Sequence, residues 1–186
     1  MTTHQRQRRF TADAFMAWAA EQPQGRFELW GGEIVAMSPE RIAHTRAKFE
    51  AAIALRTAIA TTGLGCEAIV DGVSVRIDDR TVFEPDALVR CGPKAPGDAT
   101  AVSDPLIVVE VVSPSSRGVD AGAKLAGYFQ LPSVRHYLLV DTEARVVIHH
   151  RRDEAGAIAV QILRHGSLVL DPPAIEIDIG DIFAPL

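Results

Sequence analysis

The sequence predicts an α+β protein with a mixed central β-sheet, flanking helices and a β-rich C-terminal meander. Strand-like runs fill the middle and the end of the chain, and one helical segment crosses between two of them. A length of 186 residues with 47% apolar composition suits one domain over 1–186. We divide it into an N-terminal helical extension (1–25), a motif-bearing core (26–141) and the meander (142–186).

The first third of the chain predicts two helices separated by a hairpin. TADAFMAWAAEQ has a capping threonine and helical spacing, and RFELWGGEIVAM reads as two strands hinged on a Gly-Gly pair. Ser38 and Pro39 predict the start of a second helix over about 40–61, which stops at Gly63.

The second predicted helix has two distinct faces. Ile42, Phe49 and Ile53 lie on one of them at helical spacing. A basic face near the N-terminal end carries three further side chains: Arg41, His44 and Lys48. This basic face is either solvated or, at Arg41 and Lys48, a contact for phosphate.

The rest of the chain alternates strands with one loop and one helix. The predicted order is strands at 73–77 and 81–89, a loop over 91–104, a strand at 106–112, a helix over 119–131, a strand at 135–141, and strands in VVIHHRR, AIAVQILRH and AIEIDI. The two rings of His149 and His150 point to opposite faces of their strand, so they make a poor metal site.

Composition narrows the function classes. The net charge of −5 shows no basic footprint of a non-specific nucleic-acid coat protein. We find no signal peptide and no apolar run near the ~20 residues of a membrane span, so we expect a cytoplasmic protein without membrane contact. Cys66 and Cys91 are too few for a disulfide framework and favour a reducing compartment.

Glu110 interrupts the otherwise apolar strand LIVVEVV. An unpaired buried charge costs roughly several kcal/mol, so a cation from the chain or a metal ion is expected to compensate it. Asp86 lies on the preceding strand, and the two carboxylates can converge if these strands are neighbours. Oxygen ligands of this kind suit Mg²⁺ or Mn²⁺.

The helix after Glu110 offers a cation. Asp120, Lys124 and Tyr128 are spaced by four residues and therefore line one helical face. Lys124 could orient a water molecule or stabilise developing phosphorane charge. Glu33, beside the Gly-Gly turn, and His44 are two further candidates for the same site.

Each candidate also has a purely structural interpretation. Glu110 could pair with Lys124 without any metal, and Asp86 could be an ordinary strand-edge acid after a proline. Tyr128 is most simply a packing residue whose hydroxyl reaches water. Three further candidates occupy positions where solvated or packing side chains are common: Glu33, His44 and Asp120.

Several motifs carry a family resemblance. ELWGGEIVAMSP, the following His44, FEPDALV, VVEVVSPSS and D-x-x-x-K-x-x-x-Y resemble the Uma-type endonucleases of the PD-(D/E)xK nuclease superfamily. The similarity runs from about Arg26 to Asp141. It implies a restriction-endonuclease-like core.

The resemblance also implies Mg²⁺-dependent (or Mn²⁺-dependent) hydrolysis of phosphodiester bonds in nucleic acid, with DNA as the expected substrate. Asp86 and Glu110 would be the metal ligands, and Glu33 an accessory ligand or base. Val112 occupies the superfamily's lysine position, and Lys124 matches the arrangement in which that lysine lies on the neighbouring helix. We also predict a homodimer, with the apolar C-terminal meander as its interface.

Two other functions stay open. A nuclease fold that has lost catalysis would be a binding or regulatory module, which Val112 and the acidic net charge favour. A glycosidase would use Asp86 and Glu110 as its acid/base pair, but sugar clefts usually expose aromatic platforms and this chain is only 6% aromatic.

Overall fold

The computed structural model describes residues 9–112 and 120–183. Its helices are α1 (Ala12–Ala20), α2 (Ile42–Thr62), a π-helical turn π1 (Asp120–Lys124) that runs into α3 (Leu125–Tyr128), and α4 (Ile179–Ile182). Its strands are β1 (Phe27–Trp30), β2 (Glu33–Ala36), β3 (Cys66–Val70), β4 (Ser74–Asp78), β5 (Thr81–Phe83), β6 (Ala87–Cys91), β7 (Ala101–Val102), β8 (Ile107–Val112), β9 (His136–Asp141), β10 (Val146–Arg152), β11 (Ile158–Leu163), β12 (Ser167–Leu170) and β13 (Ile175–Asp178).

The strands form two mixed sheets and a separate hairpin. The central sheet has the order β11-β10-β9-β8-β6-β3, the second sheet has the order β2-β1-β5-β4-β7, and β12 pairs with β13. β8 and β9 are parallel neighbours joined through π1 and α3, since parallel strands need a crossover connection. The predicted α+β class with a central mixed sheet is confirmed.

Side-chain alternation along β8 separates two cores. Val109 and Val111 pack with the α2 side of the central sheet. Val108 and Val112 face the second sheet and α3, where they join Phe83 in the other core. Glu110 points to the same side of the sheet as Val108 and Val112, as predicted.

α2 differs from its predicted form at its start and in its buried face. It begins at Ile42 rather than after Ser38 and Pro39, its N-cap is Arg41 without a side-chain hydrogen bond, and it ends at the predicted Gly63 in the left-handed conformation. The core face consists of alanines together with Leu55 and Ile59.

The apolar residues that mark the predicted face of α2 lie largely outside the core. Ile42 is 72% exposed and Phe49 52% exposed. The small alanine side chains permit close contact between the helix and the sheet. The spacing of the large apolar residues therefore does not mark the buried face of α2.

The strand predictions need three corrections. The predicted strand 81–89 is two strands in different sheets, since Glu84, Pro85 and Asp86 separate β5 from β6. Pro85 lacks the backbone N–H that a continuous ladder would use. The loop prediction over 91–104 missed the short β7, and the meander prediction missed β12. The predicted start of the 119–131 helix, and the SPSS part of its preceding motif, lie outside the described residues.

The two cysteines form a disulfide rather than free thiols. Cys66 and Cys91 are directly opposite in the β3–β6 ladder, which brings their side chains together. The interpretation of a low cysteine count as typical of a reducing compartment did not anticipate this bond. Among the described residues, no helix is long and apolar enough to cross a membrane.

A buried pair of histidines lies between β9 and β10. His136 Nδ1 is 2.9 Å from His149 Nε2, and His136 Nε2 is 2.9 Å from the carbonyl oxygen of Pro172. Burial lowers the pKa of both imidazoles to about 4. His150 lies on the opposite face of β10, near Tyr137, as the strand alternation predicted.

We expect Gly127→Ala to destabilise the fold by about 1–3 kcal/mol. A Cβ at this position would lie 2.6 Å from Phe83 Cε2 in the core between the sheets. Gly122→Ala is the matched control because its Cβ would meet nothing within 4 Å. Urea unfolding measures both changes, and equal stability of the two variants would contradict the packing argument.

We expect the stability to fall as the pH drops from about 6.5 towards 4. The unfolded histidines take up protons in this range while His136 and His149, with folded pKa values of about 4, resist protonation. Each contributes up to about 1.4 kcal/mol per pH unit. In urea titrations between these pH values, His149→Gln should show a shallower acid loss, and an unchanged slope would refute this assignment.

Candidate active site

Asp86 lies where β6 enters the central sheet. The antiparallel β6–β8 register pairs Ala87 with Val109, so Asp86, one residue earlier, lies beside the end of β8 that contains Glu110. Its Oδ2 accepts a hydrogen bond of 2.7 Å from the backbone N–H of Val111. The structure therefore brings the two predicted acids to the same end of two neighbouring strands.

The basic face of α2 points at Asp86. Lys48 is almost completely buried, and its Nζ lies 3.2 Å from Asp86 Oδ1 and 2.6 Å from Glu40 Oε1. His44 Nε2 lies 3.2 Å from Asp86 Oδ2. Burial alone would raise the pKa of Asp86, but His44, Lys48 and the Val111 N–H outweigh it and hold that pKa below its usual value. Asp86 is therefore an ionised, buried carboxylate.

Glu110 is compensated by groups from the crossover connection. Lys124 Nζ and the Tyr128 hydroxyl each donate a hydrogen bond of 3.0 Å to Glu110 Oε1. Burial and the nearby charge of Glu110 raise the pKa of Tyr128 well above its usual value, so the hydroxyl stays a donor. The helical spacing correctly placed Lys124 and Tyr128 together. The hydroxyl of Tyr128, however, reaches Glu110 rather than water.

Glu28 on β1 is a site residue that the sequence analysis missed. Its buried carboxylate places Oε1 2.9 Å from Lys124 Nζ and accepts a 2.9 Å hydrogen bond from the backbone N–H of Glu84. Its Oε2 accepts from Trp30 Nε1. The signal was the same as for Glu110, an acid between apolar residues in the strand FELW.

Arg26 connects the surrounding acids. Its guanidinium forms ion pairs with Glu40, Asp71 and Glu84, and Lys48 also reaches Asp71 at 3.2 Å. These contacts join the loop before α2, the turn after β3 and the link between β5 and β6. Arg26 and Glu40 carry no pattern in the sequence that distinguishes them from surface residues.

The connected cluster has more acids than bases. Within the described part of the chain, the carboxylates are Glu28, Glu40, Asp71, Glu84, Asp86 and Glu110. Three permanent cations contact them: Arg26, Lys48 and Lys124. His44 becomes a fourth only when protonated. Four of the six carboxylates are buried: Glu28, Glu84, Asp86 and Glu110. Because buried negative charge requires compensation, this excess favours a bound cation.

One part of the cluster has the donors of a divalent metal site. Ligand atoms of Glu40, His44 and Asp86 all lie within 4.8 Å of one another. The buried Nε2 of His44 already lies 3.2 Å from Asp86 Oδ2. Two carboxylates and a neighbouring imidazole fit a metal such as Mn²⁺ or Mg²⁺.

Two predicted site residues lie outside this cluster of contacts. Glu33 is exposed at the start of β2 and, among the described residues, makes no ion pair. Arg41 is also exposed, at the entry of α2, and its Nη1 is 3.9 Å from Glu143 Oε1. Asp120 begins π1, but its side chain lies outside the described residues.

A family model described as "Uma2: Putative restriction endonuclease" matches residues 12–181. Two proteins of Synechocystis sp. are relatives. The uncharacterized protein slr1290 is 26% identical over 150 residues, covering 78% of this chain and 76% of that protein. The uncharacterized protein sll1609 is 28% identical over 135 residues, covering 71% and 75%.

A solved structure shares the fold. It is the crystal structure of a "putative nuclease belonging to DUF820" from Anabaena variabilis, with a TM-score of 0.73 and 14% sequence identity. The similarity covers 94% of this chain and 97% of that chain. This chain therefore shares its overall fold with an experimentally determined structure.

We expect Lys124→Met to destabilise the fold by about 3–5 kcal/mol at neutral pH, because Glu28 and Glu110 would lose the buried cation between them. Arg76→Met is the control, since its ion pairs with Asp13 and Asp79 are exposed. Urea unfolding should show a far smaller loss for the control. Equal losses would mean that removing the buried cation costs no more than removing an exposed one, which would contradict this prediction.

Proposed function

Because the chain belongs to the Uma2 family, whose model is described as a putative restriction endonuclease, we propose that it is a metal-dependent nuclease. Its reaction is hydrolysis of phosphodiester bonds in nucleic acid, with DNA as the expected substrate. The observation that carries this proposal is the buried acidic cluster at the sheet edge, where Asp86 and Glu110 each lie against a lysine.

The metal would be held by Asp86 together with Glu40 and His44. These residues supply ligand atoms that all lie within 4.8 Å of one another, and His44 Nε2 lies 3.2 Å from Asp86 Oδ2. A bound Mg²⁺ or Mn²⁺ would supply a water of lowered pKa and stabilise charge on a phosphate oxygen. Glu110 as a second ligand, and Glu33 as an accessory ligand or base, remain predictions.

Lys124 stabilises negative charge in this proposal. Its Nζ is held between Glu110 Oε1 and Glu28 Oε1 at 3.0 and 2.9 Å, so its position is set before any substrate arrives. A preorganised cation of this kind stabilises the pentavalent phosphorus without the cost of reorganisation. Val112, at the superfamily's lysine position, is buried in the apolar core and leaves this role to Lys124.

Lys48 and Arg41 have different roles, although both were predicted to lie on the basic face of the second helix. Lys48 is buried among Glu40, Asp71 and Asp86. We therefore assign it to fixing Asp86 rather than to phosphate. Arg41 is exposed where α2 begins. Of these two residues, Arg41 therefore suits a contact with a backbone phosphate.

We predict that calorimetric titration with Mn²⁺ distinguishes the candidate ligand sets. Asp86→Asn should abolish binding, because Asp86 belongs to both sets. His44→Gln should also abolish binding if Glu40, His44 and Asp86 hold the ion, whereas Glu110→Gln should do so if Asp86 and Glu110 hold it. Glu176→Gln, an exposed acid on β13, is the control and should bind as the native protein does.

The same variants should then be assayed for Mg²⁺-dependent and Mn²⁺-dependent cleavage of DNA and RNA. Glu110→Gln should lower the cleavage rate by about 100-fold or more, and Lys124→Met, assayed with them, should do the same. Glu176→Gln should keep the native cleavage rate. Cleavage that survives in both Asp86→Asn and Glu110→Gln would rule the proposal out. Thermal unfolding of each variant separates a lost active site from a lost fold.

A second candidate function is a binding or regulatory module with a catalytically inactive nuclease fold. The observation in its favour is that Lys48 and Lys124 already compensate Asp86 and Glu110, so the site is stable without substrate. Under this hypothesis the native protein binds nucleic acid but cleaves none with either metal, and Lys124→Met changes no rate.

A further inference from the structure

We propose that β11 is a self-association surface through which two copies of the chain pair edge to edge. β11 is the last strand of the central sheet. It is hydrogen-bonded to β10 along its whole length, and among the described residues no strand lies on its other side. Its outer edge therefore has backbone N–H and C=O groups available for a further strand.

The side chains of β11 also favour a partner. All positions from Ile158 to Ile162 are exposed. Ile158, Val160 and Ile162 share one face and are 44%, 57% and 66% exposed. The strand contains no charged residue and no proline, although proteins usually protect a free edge with one of these. An unprotected apolar edge of this length is best explained by a strand that covers it.

Charge complementarity identifies a second copy of the same chain as that strand. Asp153 and Glu154 precede β11, whereas Arg164 and His165 follow it. In an antiparallel pair the acidic start of one strand meets the basic end of the other, and this occurs twice in a two-fold dimer. A parallel arrangement would place like charges together.

The register that sets the apolar side chains of the two strands next to each other has its two-fold axis at Val160. Ile158 then lies opposite Ile162 of the second copy, and the two Val160 side chains meet at the centre. Because one strand pair is small beside the roughly 1,600 Å² of a standard interface, we expect a reversible dimer with micromolar affinity. The surface is independent of the nuclease proposal, and it gives the homodimer predicted from the meander a defined interface.

Sedimentation equilibrium tests the proposal, with Val160→Lys compared against Val169→Lys. Val169 lies on β12 and is also 57% exposed, so the two variants add the same charge to equally exposed valines. The native chain and Val169→Lys should dimerise, and Val160→Lys should weaken the dimer at least about tenfold. A monomer up to about 200 µM, well above the micromolar affinity expected of an interface this small, or a dimer that Val160→Lys leaves intact, overturns the proposal.

A charge exchange tests the antiparallel orientation. Glu154→Arg and Arg164→Glu should each weaken the dimer, because each brings like charges together at both ends of the strand pair. The double variant should recover most of the native affinity. Additive weakening in the double variant would overturn the antiparallel pairing.

Discussion

The structure depends most on the ion pair that Lys124 makes with two buried carboxylates. Glu110 belongs to the central sheet, Glu28 to the second sheet, and Lys124 to the crossover that follows Glu110. A single ammonium group therefore links two sheets and the connection between two parallel strands. Because all three groups are buried, removing Lys124 leaves two carboxylates without their cation, which is strongly destabilising.

The same constraint explains why the candidate site is preorganised. Asp86 is held by Lys48 and by the N–H of Val111, immediately after Glu110 in the chain. Arg26 then ties the acids around it into one network. The three permanent cations balance half of the six carboxylates, and this excess favours one more cation.

The differences between prediction and structure have specific physical causes. The large apolar residues of α2, Ile42 and Phe49, are exposed because the helix approaches the sheet through alanines. The Gly-Gly turn draws attention to Glu33, which is exposed, whereas Glu28 is buried between apolar neighbours on β1 and has no such marker. The disulfide depends on the β3–β6 register, which places Cys66 opposite Cys91 and which spacing alone does not reveal.

The sequence by itself determined the fold class, most of the strands, and the proximity of Lys124 and Tyr128 to Glu110. These features depend on local periodicity: two-residue alternation identifies Glu110 as an inward acid, and four-residue spacing aligns Lys124 with Tyr128. Only the tertiary structure decided which charges meet. Glu28, Arg26 and Glu40 join the cluster through strand pairing and loop packing between distant segments, and long-range contacts of this kind leave no periodic trace in the chain.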